Sequence, residues 1–281
     1  MRHGVKRQFE EYMHKEARSV VLLNDGFTNE NFLINDAYVF RIIKKDRDPS
    51  LSFKLEYEIY KMIEPLNISE KIKFFNENNG DKISGFVHNS RFYNPTPNNE
   101  QILYLVRALK KLHNSGLDCK VYYDPFKKLT IYKKGLEENL LLDQKYEKAI
   151  IKEYKAKFNK EELVLSHNDL VKGNLLFKYN GLTIIDWECA SMNIAYFDLA
   201  SFISENNLKE DQIDYFLKKY FGYKYTNIKR KKVDLVARFQ DILFYYWALY
   251  YYKKRGDEIY FSIAIDKLNR IKDQMILLKF Y

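Results

Sequence analysis

The sequence has few cysteines and no long apolar run. Its two cysteines, Cys119 and Cys189, are too few for a disulfide framework and fit a reducing cytosol. The longest apolar run, residues 242–252, is about half of what a bilayer span requires. The N-terminal stretch is charged and has no apolar signal core. We therefore expect a cytoplasmic protein without a membrane span.

Several motifs of other chemistries are also missing. The chain has no H-E-x-x-H zinc motif, no C-x-x-C pair, no G-x-S-x-G turn and no G-x-x-x-x-G-K-[ST] phosphate loop. It also has no internal repeat and no low-complexity tract. The chemistries that those motifs serve are therefore not indicated.

The composition is that of a globular protein with a basic surface. Apolar residues make up 46% of the chain and charged residues 30%. The 47 basic residues outnumber the 38 acidic ones and give a net charge of +9, an excess that can mark a nucleic-acid partner. Because the lysines are scattered, we interpret the excess as a solvated surface and expect no nucleic-acid partner. The sequence does not indicate an oligomeric state.

Apolar patterns predict strands in the first part of the chain. Short β-rich runs are separated by Asn-Asp and Asn-Gly turns, which favours a small antiparallel sheet. The predicted strands are residues 20–23, 32–34, 37–43, 71–75 and 83–87. A helix with Ser50 as its cap is predicted between the third and fourth strands.

Helical periodicity governs most of the remaining chain. Pro95 and Pro97 mark a connector, and residues 163–186 form one strand-rich segment. The predicted helices are residues 99–116, 136–158, 208–220, 231–254 and 259–278. We expect an α+β protein with a small antiparallel N-terminal lobe, residues 1–90, and a larger, mainly helical C-terminal lobe, residues 91–281.

The strand-rich segment carries the most specific polar pattern. An apolar strand leads into the motif H-N-D at residues 167–169, and Asn174 follows shortly after. A second strand, L-T-I-I at residues 182–185, ends at Asp186. Turn capping alone explains the Asp and Asn of the first loop. It does not explain a carboxylate directly after an apolar strand, so we interpret the pattern as a catalytic and metal-binding constellation.

The hairpin between these strands predicts a cation site. With a three-residue loop, Tyr179-Asn180-Gly181, and Gly181 in the left-handed conformation, Asn174 faces Asp186 across the strands. Side chains paired in this way lie roughly 5 Å apart at Cβ and can share one ion. Mg²⁺ favours such oxygen ligands. A two-residue turn places the two side chains on opposite faces, so the prediction requires the longer loop.

Asp169 lies in the loop that enters the hairpin and is the candidate catalytic base. A carboxylate there can accept or orient the proton of a substrate hydroxyl. Positioned groups, a metal and charge neutralisation are most of what phosphoryl transfer requires. We interpret His167 as the residue that positions this catalytic loop.

These motifs resemble those of a known superfamily. The H-N-D motif, Asn174 and the motif I-D-W-E at residues 185–188 are similar to the catalytic and metal motifs of choline/ethanolamine kinases and aminoglycoside phosphotransferases, and most similar to bacterial choline kinases. The likeness is strongest over residues 163–222. It implies a two-lobed protein-kinase-like fold and an ATP-dependent kinase with Asp169 as base and Mg²⁺ at Asn174 and Asp186.

The resemblance also implies a nucleotide site in the N-terminal lobe. Its residues are Thr28, Asn29, Asn31, Arg41, Glu56, Phe86 and Val87. The first three lie where these kinases close a loop over the phosphates, and the last two lie at the connector that holds adenine. Arg41 takes the position of the phosphate-holding cation, where most kinases carry Lys, with Glu56 as its partner.

A small-molecule acceptor is indicated by two departures from protein kinases. Asn168 replaces the Arg that reads activation-loop phosphorylation, and residues 189–196 are too few for a long activation loop. The resemblance implies that the acceptor contacts Glu188, Glu205, Phe244 and Trp247. Aromatic faces and a carboxylate suit the quaternary ammonium of choline.

Two positions depart from the choline kinase pattern, and alternatives remain. Cys189 and Phe244 stand where those kinases commonly carry an aromatic residue and Trp. The leading hypothesis is a choline kinase that forms phosphocholine from ATP. The alternatives are an ethanolamine kinase, an aminoglycoside phosphotransferase and a catalytically silent nucleotide-binding scaffold.

Overall fold

The structure is a computed structural model that describes residues 2–25, 29–43, 51–94 and 99–278. Its α-helices are α1 (Arg2–Met13), α2 (Phe53–Ile63), α3 (Asn99–His113), α4 (Pro125–Lys133), α5 (Gln144–Phe158), α6 (Ala195–Glu205), α7 (Glu210–Phe221), α8 (Asn227–Arg255) and α9 (Glu258–Leu277). Its strands are β1 (Val20–Asp25), β2 (Asn29–Ile34), β3 (Tyr38–Ile43), β4 (Ile72–Phe75), β5 (Lys82–Gly85), β6 (Arg91–Phe92), β7 (Leu163–Ser166), β8 (Leu175–Lys178), β9 (Gly181–Ile184) and β10 (Ser191–Ile194). The predicted α+β class is confirmed.

The chain divides into two compact units. The first unit comprises Met1–Cys119 and Asp169–Ala190, and the second comprises Lys120–Asn168 and Ser191–Tyr281. The predicted lobe boundary after residue 90 stays a prediction. The two units are defined by contacts between residues, whereas the predicted lobes were defined by the ligands that they bind. The predicted connector prolines lie outside the described residues.

The first unit is built around a five-stranded antiparallel sheet in the order β1-β2-β3-β5-β4. Side chains alternate between the two faces of each strand, so Phe32 and Phe40 lie on the same side of β2 and β3. Val5 and Phe9 of α1 join them in one buried core. The helix α1 was not predicted from the sequence, although the four-residue spacing of its apolar pair is typical of a helix.

The start of α2 differs from the predicted one. Ser52, in an extended conformation, caps the helix and accepts a hydrogen bond from the Leu55 amide at 3.2 Å. The predicted cap, Ser50, lies outside the described residues. Because α2 begins at Phe53, Glu56 falls in its first turn, where the helix dipole favours a negative charge.

The second unit is mainly helical. The helix α8 has 29 residues, begins at the side-chain cap of Thr226 and ends at Gly256, whose φ of 75° is in the left-handed region. It packs against α4, α5, α6 and α9. The strands β7 and β10 form an antiparallel pair beside α6.

Two helix predictions in this unit were incomplete. The helix α4 was not predicted, although Asp124 caps it and Pro125 occupies its first position, a common start signal. The helix α5 begins at Gln144, after the Asp143 cap, and not at residue 136. Among the residues that the structure describes, no helix is long and apolar enough to cross a bilayer.

Candidate active site

Arg41 lies in β3 on the sheet face opposite the aromatic core. Its neighbours across the sheet are Asn31 on β2 and Lys82 on β5. Its Nη1 and Nη2 donate to Glu56 Oε1 and Oε2 at 2.6 and 2.9 Å, and the two side chains are 4% and 0% exposed. Arg41 and Glu56 therefore form a buried bidentate ion pair and not a surface ion pair.

A glycine turn completes the setting of this guanidinium. Arg41 Nη2 also donates to the Gly80 carbonyl at 3.0 Å. Gly80 has a φ of +78°, and a Cβ there would lie 2.2 Å from the Phe53 ring, so the turn requires glycine. Burial alone would lower the pKa of Arg41, but the charge and hydrogen bonds of Glu56 raise it above its usual value. Arg41 is a permanent cation at this position.

Asp186 provides a second carboxylate beside Arg41. Its Oδ1 lies 3.6 Å from Arg41 Nη1. Asp186 has a φ of 66°, a left-handed conformation that Asp tolerates and that often occurs at functional sites. We call Arg41, Glu56 and Asp186 the Arg41 network.

A further buried group next to this network was missed by the sequence analysis. Lys82 Nζ donates to Glu70 at 2.9 Å and to the Tyr60 hydroxyl at 2.5 Å, and it lies 3.6 Å from Glu56. Tyr60 in turn donates to Glu70 at 2.6 Å. Glu56 is thus shared by Arg41 and Lys82. The position of Lys82 beside Glu56 cannot be predicted without the strand order, because Lys82 lies opposite Arg41 only when β5 is next to β3.

Asp169 and Asn174 are brought together in the first unit. Asn174 Nδ2 donates to the carbonyl oxygen of Asp169 at 2.9 Å and to its Oδ2 at 3.0 Å. Asn174 ends a short 3-10 helix, Lys172–Asn174, and is buried, whereas Asp169 is partly exposed. The candidate base therefore has a fixed orientation and access to solvent.

The predicted hairpin register was wrong. Lys178 pairs with Gly181, so the turn has two residues, Tyr179 and Asn180, and Gly181 begins β9 without a positive φ. The Asn174 carbonyl accepts from the Ile185 amide at 3.0 Å, so the residue opposite Asn174 is Ile185 and not Asp186. The cross-strand argument for a shared metal ion therefore fails.

The donor atoms themselves nevertheless fit a magnesium site. Asp186 Oδ1 is buried and has no hydrogen bond from any residue that the structure describes. Asn174 uses its amide nitrogen on Asp169, which leaves its side-chain oxygen as an acceptor. Mg²⁺ takes one or two protein oxygens together with phosphate oxygens and waters. Within the described ranges, no group of three or more His, Cys, Asp or Glu residues forms a metal cluster.

A buried carboxylate fixes the loop that precedes Asp169. Asp198 on α6 accepts from the backbone amides of His167 and Asn168 at 2.9 and 2.7 Å, and it is fully buried. Asn168 has a φ of 67° and accepts from the Asn193 amide at 2.8 Å. The His167 side chain is also fully buried, which agrees with a positioning role. No role was predicted for Asp198 from the sequence.

The candidate nucleotide residues are only partly described. Thr28 lies outside the described residues. Asn29 is buried, and its Oδ1 has no hydrogen bond from the part of the chain that the structure covers. At the connector, the Phe86 amide donates to the Ala37 carbonyl at 2.8 Å, and Val87 is partly exposed. A partly exposed apolar connector is compatible with adenine contacts.

A cavity of the first unit is adjacent to this connector. It has a volume of about 930 Å³ and is lined by Phe86 and Val87, among others. Asp169, Asn174 and Asp186 are not among its lining residues. The cavity is therefore separate from the candidate phosphoryl-transfer residues.

Two of the three candidate acceptor residues of the second unit, Glu205 and Phe244, lie beside an internal ammonium. Lys267 Nζ on α9 donates to Glu205 Oε1 at 2.5 Å and lies 3.5 Å from Asp241 Oδ1. The same nitrogen lies 5.8 Å from the centroid of the Phe244 ring. Trp247 packs against Tyr260 at a centroid distance of 5.5 Å. We call Lys267, Glu205 and Asp241 the Lys267 network.

The residues of this region differ in exposure, with Lys267 and Asp241 buried and Glu205, Phe244 and Trp247 partly exposed. The Lys267 and Asp241 side chains are each 3% exposed, whereas Glu205 is 20% exposed. Phe244 and Trp247, one helical turn apart on α8, are partly exposed. The fourth candidate, Glu188, lies in the first unit, in the short 3-10 helix Trp187–Cys189.

Sequence comparison shows one family over most of the chain. The sequence profile of the phosphotransferase enzyme family matches residues 19–229. Among curated proteins, LicA of Haemophilus influenzae strain Rd is 27% identical over 239 residues, which is 78% of this chain and 88% of that protein.

Structural comparison identifies the same fold. A choline/ethanolamine kinase family protein from Mesorhizobium loti is 20% identical, with a TM-score of 0.84 over 98% of this chain and 94% of that one. The choline kinase LicA from Streptococcus pneumoniae is 19% identical, with a TM-score of 0.82 over 97% and 99%. These likenesses confirm the predicted kinase-like fold.

Proposed function

Because the chain belongs to the phosphotransferase enzyme family, we propose that it transfers the γ-phosphoryl group of ATP to the hydroxyl of choline. The observation that carries the proposal is the Arg41 network. It holds a buried, permanently charged guanidinium bidentately on Glu56 and 3.6 Å from Asp186. A fixed cation beside a carboxylate with an unused oxygen is what a nucleotide–metal site requires.

Asp169 acts as the base in this proposal. It accepts the proton of the acceptor hydroxyl while the hydroxyl oxygen bonds to the γ-phosphorus and the bond to the β,γ-bridging oxygen breaks, so that ADP leaves. The hydrogen bond from Asn174 Nδ2 orients the Asp169 carboxylate, and Asp198 holds the preceding backbone. Asn174 and Asp186 are the residues that would hold Mg²⁺, which neutralises phosphate charge when bound.

The choice of choline is supported by three partly exposed residues of the second unit, Glu205, Phe244 and Trp247. Phe244 and Trp247 present partly exposed aromatic faces, and Glu205 adds a partly exposed carboxylate. Glu205 is also the last residue of α6, where the helix dipole is negative. A quaternary ammonium has no N–H to donate, so aromatic faces and nearby negative charge hold it well. Two of the similar structures are named as choline or choline/ethanolamine kinases.

An acceptor panel tests the proposal. ADP release with Mg²⁺-ATP is measured with choline, ethanolamine, thiamine, methylthioribose and an aminoglycoside. We expect the highest kcat/KM with choline. A preference for ethanolamine or the aminoglycoside would change the acceptor assigned to the protein but keep the phosphoryl-transfer chemistry. The absence of Mg²⁺-dependent ADP release with every acceptor would support the silent nucleotide-binding scaffold.

A further inference from the structure

Lys267 places a cation of the protein's own against the residues proposed to bind the cationic acceptor. Its Nζ donates to Glu205 Oε1 at 2.5 Å and lies 5.8 Å from the Phe244 ring centroid. One oxygen of Glu205, the carboxylate proposed to bind the acceptor, therefore already accepts a hydrogen bond from Lys267. The aromatic ring is also already near a positive charge.

The Lys267 ammonium is held in place by burial and by its two carboxylate partners. Lys267 is almost fully buried, and its second carboxylate, Asp241, is buried as well and accepts from Gln274 at 2.8 Å. Withdrawing the ammonium would leave two carboxylates without their cation, which is strongly unfavourable in a buried site. The acceptor therefore meets Glu205 with Lys267 in place.

A second cation of α9 holds the same helix end. Arg270, one turn after Lys267, donates to the Ser204 carbonyl at 2.8 Å and to Asn207 Oδ1 at 3.1 Å. A carboxylate in the last turn of a helix is disfavoured by the dipole, and these cations offset that effect for Glu205. The position of Glu205 thus depends on α9.

The two amine classes respond differently to an engaged carboxylate. A primary ammonium gives up hydrogen bonds to water on binding and needs acceptors in return, so an occupied Glu205 oxygen weakens its site. A quaternary ammonium donates nothing and relies on aromatic faces and on net charge at a distance. With both carboxylates ionised, the Lys267 network keeps one net negative charge, which serves the second class.

We propose that Lys267 is a specificity-determining residue that favours a quaternary over a primary ammonium acceptor by engaging Glu205. The inference rests on the proposed function, since it concerns the acceptor site of that reaction. Lys267 acts through Glu205 and touches neither the nucleotide nor the reacting hydroxyl.

The test compares choline and ethanolamine kinetics in four variants. Lys267→Met removes the ammonium and frees Glu205, and Lys267→Met with Asp241→Asn does so without leaving a buried unpaired charge. Lys267→Arg keeps the cation as a rescue. Lys272→Met, an exposed position on the same helix, is the matched control.

We expect the ratio of kcat/KM for choline to that for ethanolamine to fall about tenfold in Lys267→Met and in the double variant, the scale of one charge-assisted hydrogen bond. The change should lie in the ethanolamine KM, with kcat and the ATP KM within about twofold. Lys267→Arg and Lys272→Met should keep the wild-type ratio.

Three results would overturn the inference. The first is an unchanged ratio in both Lys267→Met variants while the wild type phosphorylates choline, which leaves the proposed function intact. The second is an equal loss for both amines, or the failure of both variants to fold, which makes Lys267 purely structural. The third is a wild type that phosphorylates neither amine, in which case the proposed function fails first.

Discussion

The Arg41 network and the Lys267 network have the same composition of charge but different geometry. Each contains one buried cation and two carboxylates, one of which is partly exposed. Arg41 binds Glu56 through two parallel hydrogen bonds, whereas Lys267 offers a compact point charge to its partners. The planar guanidinium fixes the direction of its hydrogen bonds, whereas the ammonium does not.

The difference indicates that the two networks have different roles. In the Arg41 network the carboxylate with the unused buried oxygen is Asp186, which is proposed to serve the nucleotide. In the Lys267 network the partly exposed carboxylate is Glu205, proposed to serve the acceptor. Changes in the first network should therefore affect chemistry and ATP, and changes in the second should affect the acceptor.

The largest expected effect is at Asp186. Asp186→Ala removes the carboxylate with the unused buried oxygen, and we expect turnover to fall about 10³-fold or more, the scale of several kcal/mol of lost charge stabilisation. The measurement is ADP release as a function of Mg²⁺ concentration. Recovery of near wild-type turnover at high Mg²⁺ would show that Asp186 is not essential to the chemistry.

Asp169 comes next. Asp169→Asn removes the base but keeps an acceptor for the Asn174 amide, so we expect kcat to fall by about 10²–10⁴-fold with little change in the KM of ATP or choline. Steady-state kinetics and a thermal melt check this. A variant with more than about a tenth of the wild-type rate would exclude Asp169 as the base.

Glu56 connects function to stability. Glu56→Ala leaves the Arg41 charge buried without its bidentate partner, so we expect a loss of about 3–5 kcal/mol in the free energy of unfolding and a higher ATP KM. Chemical denaturation measures the first and steady-state kinetics the second. Glu58→Ala, an exposed position on the same helix, is the control and should change neither.

The smallest expected effect is at Trp247. Trp247→Ala removes one aromatic face, and we expect the choline KM to rise about five- to thirtyfold while the ATP KM stays unchanged, the scale of one to two kcal/mol for a cation–π contact. Ethanolamine should be affected less, because its ammonium can donate to Glu205. Trp247→Phe should recover most of the choline affinity. Equal changes in both KM values would mean that Trp247 is core packing.

The sequence predicted what depends on local pattern. Short apolar runs predicted the five strands of the antiparallel sheet in the first unit, and the Arg41–Glu56 pairing followed from a resemblance in which a strand cation meets the next helix. The Asn174–Asp186 pairing failed because it depended on one residue of turn length, and a two-residue turn reverses the faces. Lys82 and Lys267 were missed because their partners lie on elements brought close only by the fold.

The most direct test of the central claim is the stoichiometry of product formation. Wild-type protein is mixed with Mg²⁺-ATP and choline, and ³¹P NMR follows phosphocholine, ADP and inorganic phosphate in one sample, with Asp169→Asn alongside. The account predicts one phosphocholine for each ADP, little inorganic phosphate, and at least a hundredfold slower transfer in the variant. ADP accompanied by inorganic phosphate and no phosphocholine, or equal transfer by both proteins, would contradict it.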